Sequence, residues 1–198
     1  MNENTMTENT VLEELGEKAK QSARHLRSLS AGDKNEALLA MAGALKDNPD
    51  KILAANAQDI KNGQENGLSE ALVERLTLNA DRLEGMAGGL LKMAGLEDPT
   101  TKSDGQWVNE AGLSISKKRV PLGVIGIIYE SRPNVTADAS GLCLKAGNAV
   151  ILRGGKEAMN SNKAIVEVLQ GGLAKTNVPK DSIQLITDPS RELAAEFM

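Results

Sequence analysis

Apolar residues in the first half of the chain recur at three- and four-residue spacing, which gathers them on one face of successive helices. Leu12, Leu15, Ala19, Ala23 (or Ser22), Leu26 and Leu29 form the first such face. Asp33-Lys34-Asn35-Glu36 has capping-box spacing, with Asp in place of the usual Ser or Thr, and opens a second helix through Leu38, Met41 and Leu45. Asn48-Pro49 interrupts it. A third helix carries Ile52, Leu53, Ala57 and Ile60 and is expected to stop near Asn62-Gly63. After the Asn66-Gly67 turn, Leu72, Val73 and Leu76 mark a fourth helix, and Leu83, Met86, Leu90 and Leu91 a fifth that Gly95 closes. Stripes of this kind are core-packing faces.

The pattern then changes twice. Asp98-Pro99-Thr100 opens a polar loop, and residues 107–109 and 113–119, separated by Glu110-Ala111-Gly112, read as a β-hairpin. Such a ribbon is either a surface hairpin or a strand pair that reaches another subunit. From residue 120 onward, short apolar runs alternate with helical segments. Residues 124–129 are almost continuously apolar, the pattern of a strand buried on both faces, and residues 149–152 repeat it. Helical patterns follow at 135–146 and 161–175, residues 183–186 form a third strand, and Asp188-Pro189-Ser190 starts another helix. This is β-α-β-α-β, half of a doubly wound sheet. The expected fold is therefore α/β, with N-terminal helices and a hairpin packed on an incomplete parallel sheet. Its divisions are a loose tail over 1–10, a helical part over 11–97, loop and hairpin over 98–119, and the partial sheet over 120–198.

Composition narrows the function classes. The 198 residues include 27 acidic and 23 basic side chains, a net charge of −4, so there is no general attraction for nucleic acid or anionic lipid. At 40% apolar and 25% charged, the chain can bury a core. One Cys excludes an internal disulfide framework, and one Cys with one His argues against a metal centre. Trp107, Tyr129 and Phe197 are too scattered to stack bases. Residues 1–10 lack the basic patch and apolar run of a signal peptide, and no stretch approaches the roughly 18 apolar residues of a membrane span, so a cytoplasmic location is expected.

In an open parallel sheet, ligands sit beyond the carboxyl ends of the strands. Two segments fall there: Tyr129-Glu130-Ser131-Arg132-Pro133-Asn134 after the first strand, and Arg153-Gly154-Gly155-Lys156 after the second. The paired glycines allow close backbone approach, two cations beside them suit a phosphate, and the N-terminus of the following helix adds positive potential. A solvated basic turn is the other reading. No G-x-G-x-x-G follows the first strand, and the P-loop spacing fails before Gly155-Lys156. Cys143 lies between Leu142 and Leu144 in a helix expected to be buried, which is the setting of a small core hydrophobe rather than a nucleophile. His25, between Arg24 and Arg27, is expected to face solvent.

The run from Arg119 to Ile165, above all YESRPNVTAD and GNAVILRGGKEA, closely resembles the gamma-glutamyl phosphate reductases, and more distantly the aldehyde dehydrogenase superfamily. The likeness covers nearly the whole chain and takes in residues 54–60 and 76–83. It implies a nucleotide-binding domain without the usual glycine fingerprint, and NADPH-dependent reduction of L-glutamate 5-phosphate to glutamate 5-semialdehyde in proline biosynthesis. In that reaction a Cys thiolate displaces phosphate and a nicotinamide reduces the resulting thioester. The resemblance implies that Tyr129, Glu130, Ser131, Arg132 and Pro133 line the cofactor groove with Arg153, Gly154, Gly155 and Lys156. Arg153 falls where aldehyde dehydrogenases carry a ribose-binding Lys. Lys156 falls where NAD-preferring relatives carry a Glu on the ribose 2′-hydroxyl, so a cation there favours NADP(H). The superfamily's oxyanion-stabilising Asn corresponds to Arg132 by position and to Asn134 by residue type; Asn134 is preferred.

The same resemblance implies that the hairpin is an oligomerisation ribbon and that the complete protein is a homo-oligomer. Such reductases continue well beyond the length of this chain, into a catalytic domain that holds the nucleophilic Cys. The 198-residue chain is therefore expected to be a truncated, N-terminal portion that is inactive alone. A non-catalytic nucleotide-binding or oligomerisation module is the alternative.

Overall fold

A computed structural model describes the backbone of residues 3–198 and the side chains from Val11 onward. Five helices come first: α1 (Glu3–Leu26), α2 (Ala31–Asp47), α3 (Pro49–Glu65), α4 (Glu70–Leu76) and α5 (Ala80–Ala94). The tail expected over residues 1–10 is helical from Glu3 on, because no Gly or Pro separates it from the first apolar stripe; Met1 and Asn2 lie outside the described residues. Helix α2 opens one turn earlier than the Asp33 pattern suggests. Ser30 is the N-cap: its hydroxyl accepts from the Asp33 N–H at 3.1 Å, while Asp33 reaches back to the Ser30 N–H at 2.9 Å. Helix α3 runs past Asn62-Gly63, since Gly63 sits inside the helix where a Cβ would strike Leu68.

Strands β1 (Ser103–Val108) and β2 (Ser114–Lys118) pair antiparallel as the expected hairpin, and almost every residue of both is exposed. The hairpin starts from a fixed point. Lys34 and Asp98 form a buried ion pair, and Lys145 donates to Asn35 Oδ1 at 2.6 Å and to the Ala94 carbonyl at 3.1 Å, tying α2, the end of α5 and α6 to the loop.

The remaining elements are β3 (Val124–Ile128), α6 (Asn134–Lys145), β4 (Ala149–Arg153), α7 (Met159–Leu173), β5 (Ile183–Leu185) and α8 (Arg191–Phe197). The three strands are parallel in the order β3-β4-β5, the β-α-β-α-β pattern expected. Central β4 is buried on both faces, from Ala149 to Leu152, with α1 against all three strands and α6 and α7 packed on β4 and β5 respectively. Edge strand β3 is not. Val124 and Ile128 are 38% and 45% exposed, and the Phe197 ring lies close against Gly126 between them. An apolar run identifies a strand but cannot say that both of its faces are covered.

Helices α2, α3 and α5 form an outer layer on α6 and α7. Leu38, Met41, Leu45, Leu90, Leu144, Ile165, Leu169 and Leu173 meet between the layers with almost no exposed surface. Cys143 belongs to this core, as expected, and burial pushes its thiol up to about 11. His25 is exposed and its Nε2 pairs with the Asn177 carbonyl at 3.0 Å. No helix among the described residues is long and apolar enough to cross a membrane.

Candidate functional site

The loops after β3 and β4 lie side by side because their parent strands are paired, Ile128 opposite Arg153, with the Tyr129 N–H donating to the Arg153 carbonyl at 3.0 Å. They are then knitted together. Ser131 Oγ donates to Glu157 Oε2 at 2.7 Å. The Tyr129 ring turns inward, and its hydroxyl pairs with Thr136 Oγ1 at 2.7 Å, which itself donates to Asn162 Oδ1 at 2.9 Å. That leaves the Tyr129 hydroxyl as the donor in the first bond. Burial pushes the phenol up to about 12, although the Thr136 bond opposes the rise. Pro133 is buried beside it.

The two glycines serve this close fit rather than an open approach for a ligand. A Cβ on Gly154 would run into Asn162 Nδ2 and stand 3.1 Å from the Tyr129 ring. One on Gly155 would lie 2.5 Å from Ser131 Oγ and 3.1 Å from the Ser131 backbone nitrogen. The space that the glycines leave is filled by the neighbouring loop.

The N-terminus of α7 is also occupied from within. Asp59, on α3 and 2% exposed, accepts from the Asn160 N–H at 3.2 Å, Asn160 Nδ2 at 2.7 Å, the Ser161 N–H at 2.7 Å and Ser161 Oγ at 2.6 Å. The positive end of the helix therefore faces the chain's own carboxylate, not a bound phosphate. Asn56, one turn earlier on α3, donates to the Leu76 carbonyl at 2.8 Å and accepts from the Leu78 N–H at 2.7 Å. Together Asp59 and Asn56 set α3 between α7 and the α4–α5 corner.

That arrangement raises a wall opposite the two loops and encloses three adjoining cavities. The first, about 490 Å³, lies between Asn62, Asn66 and Leu68 on one side and Lys156, Glu157 and Asn160 on the other. The second, about 330 Å³, places Leu72 and Arg75 opposite Glu130, Ser131 and Arg132. The third, about 430 Å³, runs between Leu78, Arg82 and Met86 and the start of α6 at Arg132, Asn134 and Asp138. Leu68 and Glu157 border the first two, Arg75 and Arg132 the last two, so the three are one groove.

Of the residues singled out in the sequence, Glu130, Ser131, Arg132, Asn134 and Lys156 line this groove. Tyr129, Pro133, Gly154 and Gly155 shape the loops behind it. Arg153 is engaged elsewhere. Its Nη2 donates to the Pro189 and Ser190 carbonyls at 3.2 and 2.7 Å, and its Nε is buried without a partner. The opposing wall, with Arg75, Arg82 and the amides of Asn62 and Asn66, shows in the sequence only as core-facing stripes. Charged residues beside an apolar stripe look the same on a solvent face as on a groove wall.

The sequence matches the aldehyde dehydrogenase family over residues 4–198. It is 56% identical over 187 residues to a protein of Lactiplantibacillus plantarum named gamma-glutamyl phosphate reductase, covering 94% of this chain and 45% of that relative. Among solved structures, gamma-glutamyl phosphate reductase of Thermotoga maritima superimposes with a TM-score of 0.92 at 41% identity, over 94% of this chain and 45% of the other. The Saccharomyces cerevisiae reductase gives 0.84 at 32% identity, over 93% and 49%. The chain thus spans less than half the length of the relatives it matches.

Proposed function

The chain belongs to the aldehyde dehydrogenase family, and from that premise we propose that it is the cofactor-binding portion of an NADPH-dependent reductase that converts L-glutamate 5-phosphate to L-glutamate 5-semialdehyde in proline biosynthesis. The observation that carries this reading is the meeting of the 129–134 and 153–156 loops along one groove at the carboxyl end of a parallel sheet. The donor set fits a phosphorylated ribose at one end of that groove. Lys156 is exposed there beside the amides of Asn62, Asn66 and Asn160, while Arg153, held on two carbonyls, shapes the loop instead of meeting the ligand. A nicotinamide bound along the groove supplies the reducing equivalent. Ser131, Glu130 and Arg132 position it, and Asn134, at the start of α6, is the donor toward a developing oxyanion.

The one cysteine argues that turnover needs a nucleophile from outside these residues. Cys143 is buried and its thiol is pushed up to about 11, so it is neither accessible nor a thiolate near neutral pH. On this reading the 198-residue chain binds cofactor without turning over substrate. Trp107, Val108 and Leu113, 51%, 66% and 63% exposed on the projecting hairpin, are proposed to pair with a second copy, giving a cytoplasmic homo-oligomer. The cofactor assignment is tested by fluorescence titration with NADPH and NADH. Lys156→Glu is expected to weaken NADPH roughly tenfold or more and leave NADH almost unchanged. An unchanged preference rejects it.

A further inference from the structure

The strand edges of this chain are protected unequally. On β5 the Ile186 N–H donates inward to the Leu152 carbonyl at 2.8 Å, so the alternation of a parallel ladder turns the backbone groups of Ile183 and Leu185 outward. The outward Ile183 carbonyl is already taken, by Gln170 Nε2 at 2.7 Å. The β1–β2 hairpin is guarded by Asp104, Lys117 and Lys118 and by an irregular register between Ser103 and Gln106. The outer edge of β3 has neither device. The Gly123 carbonyl accepts from the Ala149 N–H at 2.9 Å and the Tyr129 N–H donates to the Arg153 carbonyl at 3.0 Å, both toward β4. The same alternation then points the N–H and C=O of Val124, Gly126 and Ile128 away from β4. Among the described residues, the one side-chain bond to the backbone of residues 123–128 is Asn148 Oδ1 accepting from the Gly123 N–H at 2.9 Å, on the inner side. Every other strand is already placed, β1 on β2 and β5 on β4, so the described residues hold no strand to cover this edge.

The surface beside the edge is apolar. Val124 and Ile128 are exposed, Leu122 before them is 87% exposed, and the Phe197 ring lies against Gly126. Residues 122–128 include neither a charged side chain nor a Pro, the residues that ordinarily keep an open edge from pairing. The strip is also complementary to itself. Gly126 lies midway between Val124 and Ile128, so a two-fold axis through it sets Val124 of each copy against Ile128 of the other. The residues that then face each other are the three whose N–H and C=O point outward, as a hydrogen-bonded antiparallel ladder requires.

We propose that the β3 edge is a self-association surface whose occupant is a second copy of this chain, the two β3 strands pairing antiparallel about Gly126 into one continuous sheet. The opposed glycines approach to a Cα separation of about 5.5 Å, which gathers the two Phe197 rings at the axis. This contact is separate from the one assigned to the hairpin and needs neither cofactor nor substrate.

The test is sedimentation velocity of the 198-residue chain over a concentration series, in a Trp107→Ser, Leu113→Ser background that removes exposed apolar side chains of the hairpin. A reversible monomer–dimer equilibrium is expected there. Val124→Lys or Ile128→Glu, each at an exposed position, weakens it roughly tenfold or more, because the new charge meets an apolar side chain across the axis. An equimolar mixture of the two variants pairs again, since the introduced ammonium and carboxylate then face each other. Thermal melts establish that every variant folds. A monomer at every concentration, a dimer indifferent to both strand variants, or a mixture no better paired than either variant alone overturns the proposal. So does a chain that stays monomeric by itself and pairs only with the separately produced carboxyl-terminal portion of the Lactiplantibacillus plantarum relative. The hairpin contact is read independently, from the change in assembly between wild type and the Trp107→Ser, Leu113→Ser chain.

Discussion

Replacing Asp59 by Ala removes the carboxylate that joins α3 to the first turn of α7, and the structure sets the size of the loss. Four donors converge on this side chain, at 3.2, 2.7, 2.7 and 2.6 Å. The two on Asn160 are partly buried and can turn to water when the acceptor goes. The two on Ser161 cannot, since Ser161 is 0% exposed. Each hydrogen bond to a charged group contributes roughly 1.5–3 kcal/mol, so stranding the Ser161 pair costs about 3–6 kcal/mol. Relief from burying a carboxylate offsets part of this, leaving about 3 kcal/mol. For a chain of this size that lowers the melting temperature by roughly 6–12 °C. Urea unfolding measures the free energy directly, as a lower midpoint at unchanged slope. Ser161→Ala in the same background couples to Asp59→Ala, the double variant losing less than the sum of the two single losses. A loss below about 1 kcal/mol, or strict additivity with Ser161→Ala, refutes the claim that this carboxylate anchors the helix.

Two further predictions concern the loops and the core. Gly155→Ala presses a methyl toward Ser131 Oγ at 2.5 Å and the Ser131 backbone nitrogen at 3.1 Å; it is expected to cost about 1–3 kcal/mol in the same urea assay and to weaken NADPH, whereas Gly171→Ala, on an exposed turn of α7 with no neighbour for the added methyl, leaves NADPH binding unchanged. Cys143, raised from 9.0 to about 11 by burial, keeps its thiol protonated in the folded state. Its contribution to stability is complete below the unfolded value and is lost as pH rises toward about 11, so wild type should lose more stability than Cys143→Ala between those limits. At pH 8 an aromatic disulfide reagent should modify Cys143 only after urea unfolding; rapid reaction with the folded chain would contradict its burial.

The elements themselves are readable because burial leaves a period. The four residues Ala149-Val150-Ile151-Leu152 announce a strand closed on both sides, and the central position of β4 makes that reading right. The similar run at 124–128 announces the same and is half-open, because whether a second layer packs on the face of Val124 and Ile128 is decided by distant elements that no local pattern encodes. The site is legible as two short segments after two strands, since strand pairing alone brings such segments together. Their glycines point to the wrong cause: a missing Cβ looks the same in sequence whether a ligand or Ser131 takes up the space. Asp59 is invisible for a further reason. It sits among ordinary helical residues and acquires its partners only through packing between elements distant in sequence.

The most direct test of the central claim joins this chain to the carboxyl-terminal portion of the Lactiplantibacillus plantarum relative, to which it is 56% identical, and follows phosphate-dependent reduction of NADP with glutamate 5-semialdehyde. The expected result is activity in the joined protein, preference for NADP over NAD that Lys156→Glu abolishes, and no turnover by the 198-residue chain alone. A folded but inactive joined protein, or turnover by the chain by itself, would contradict it.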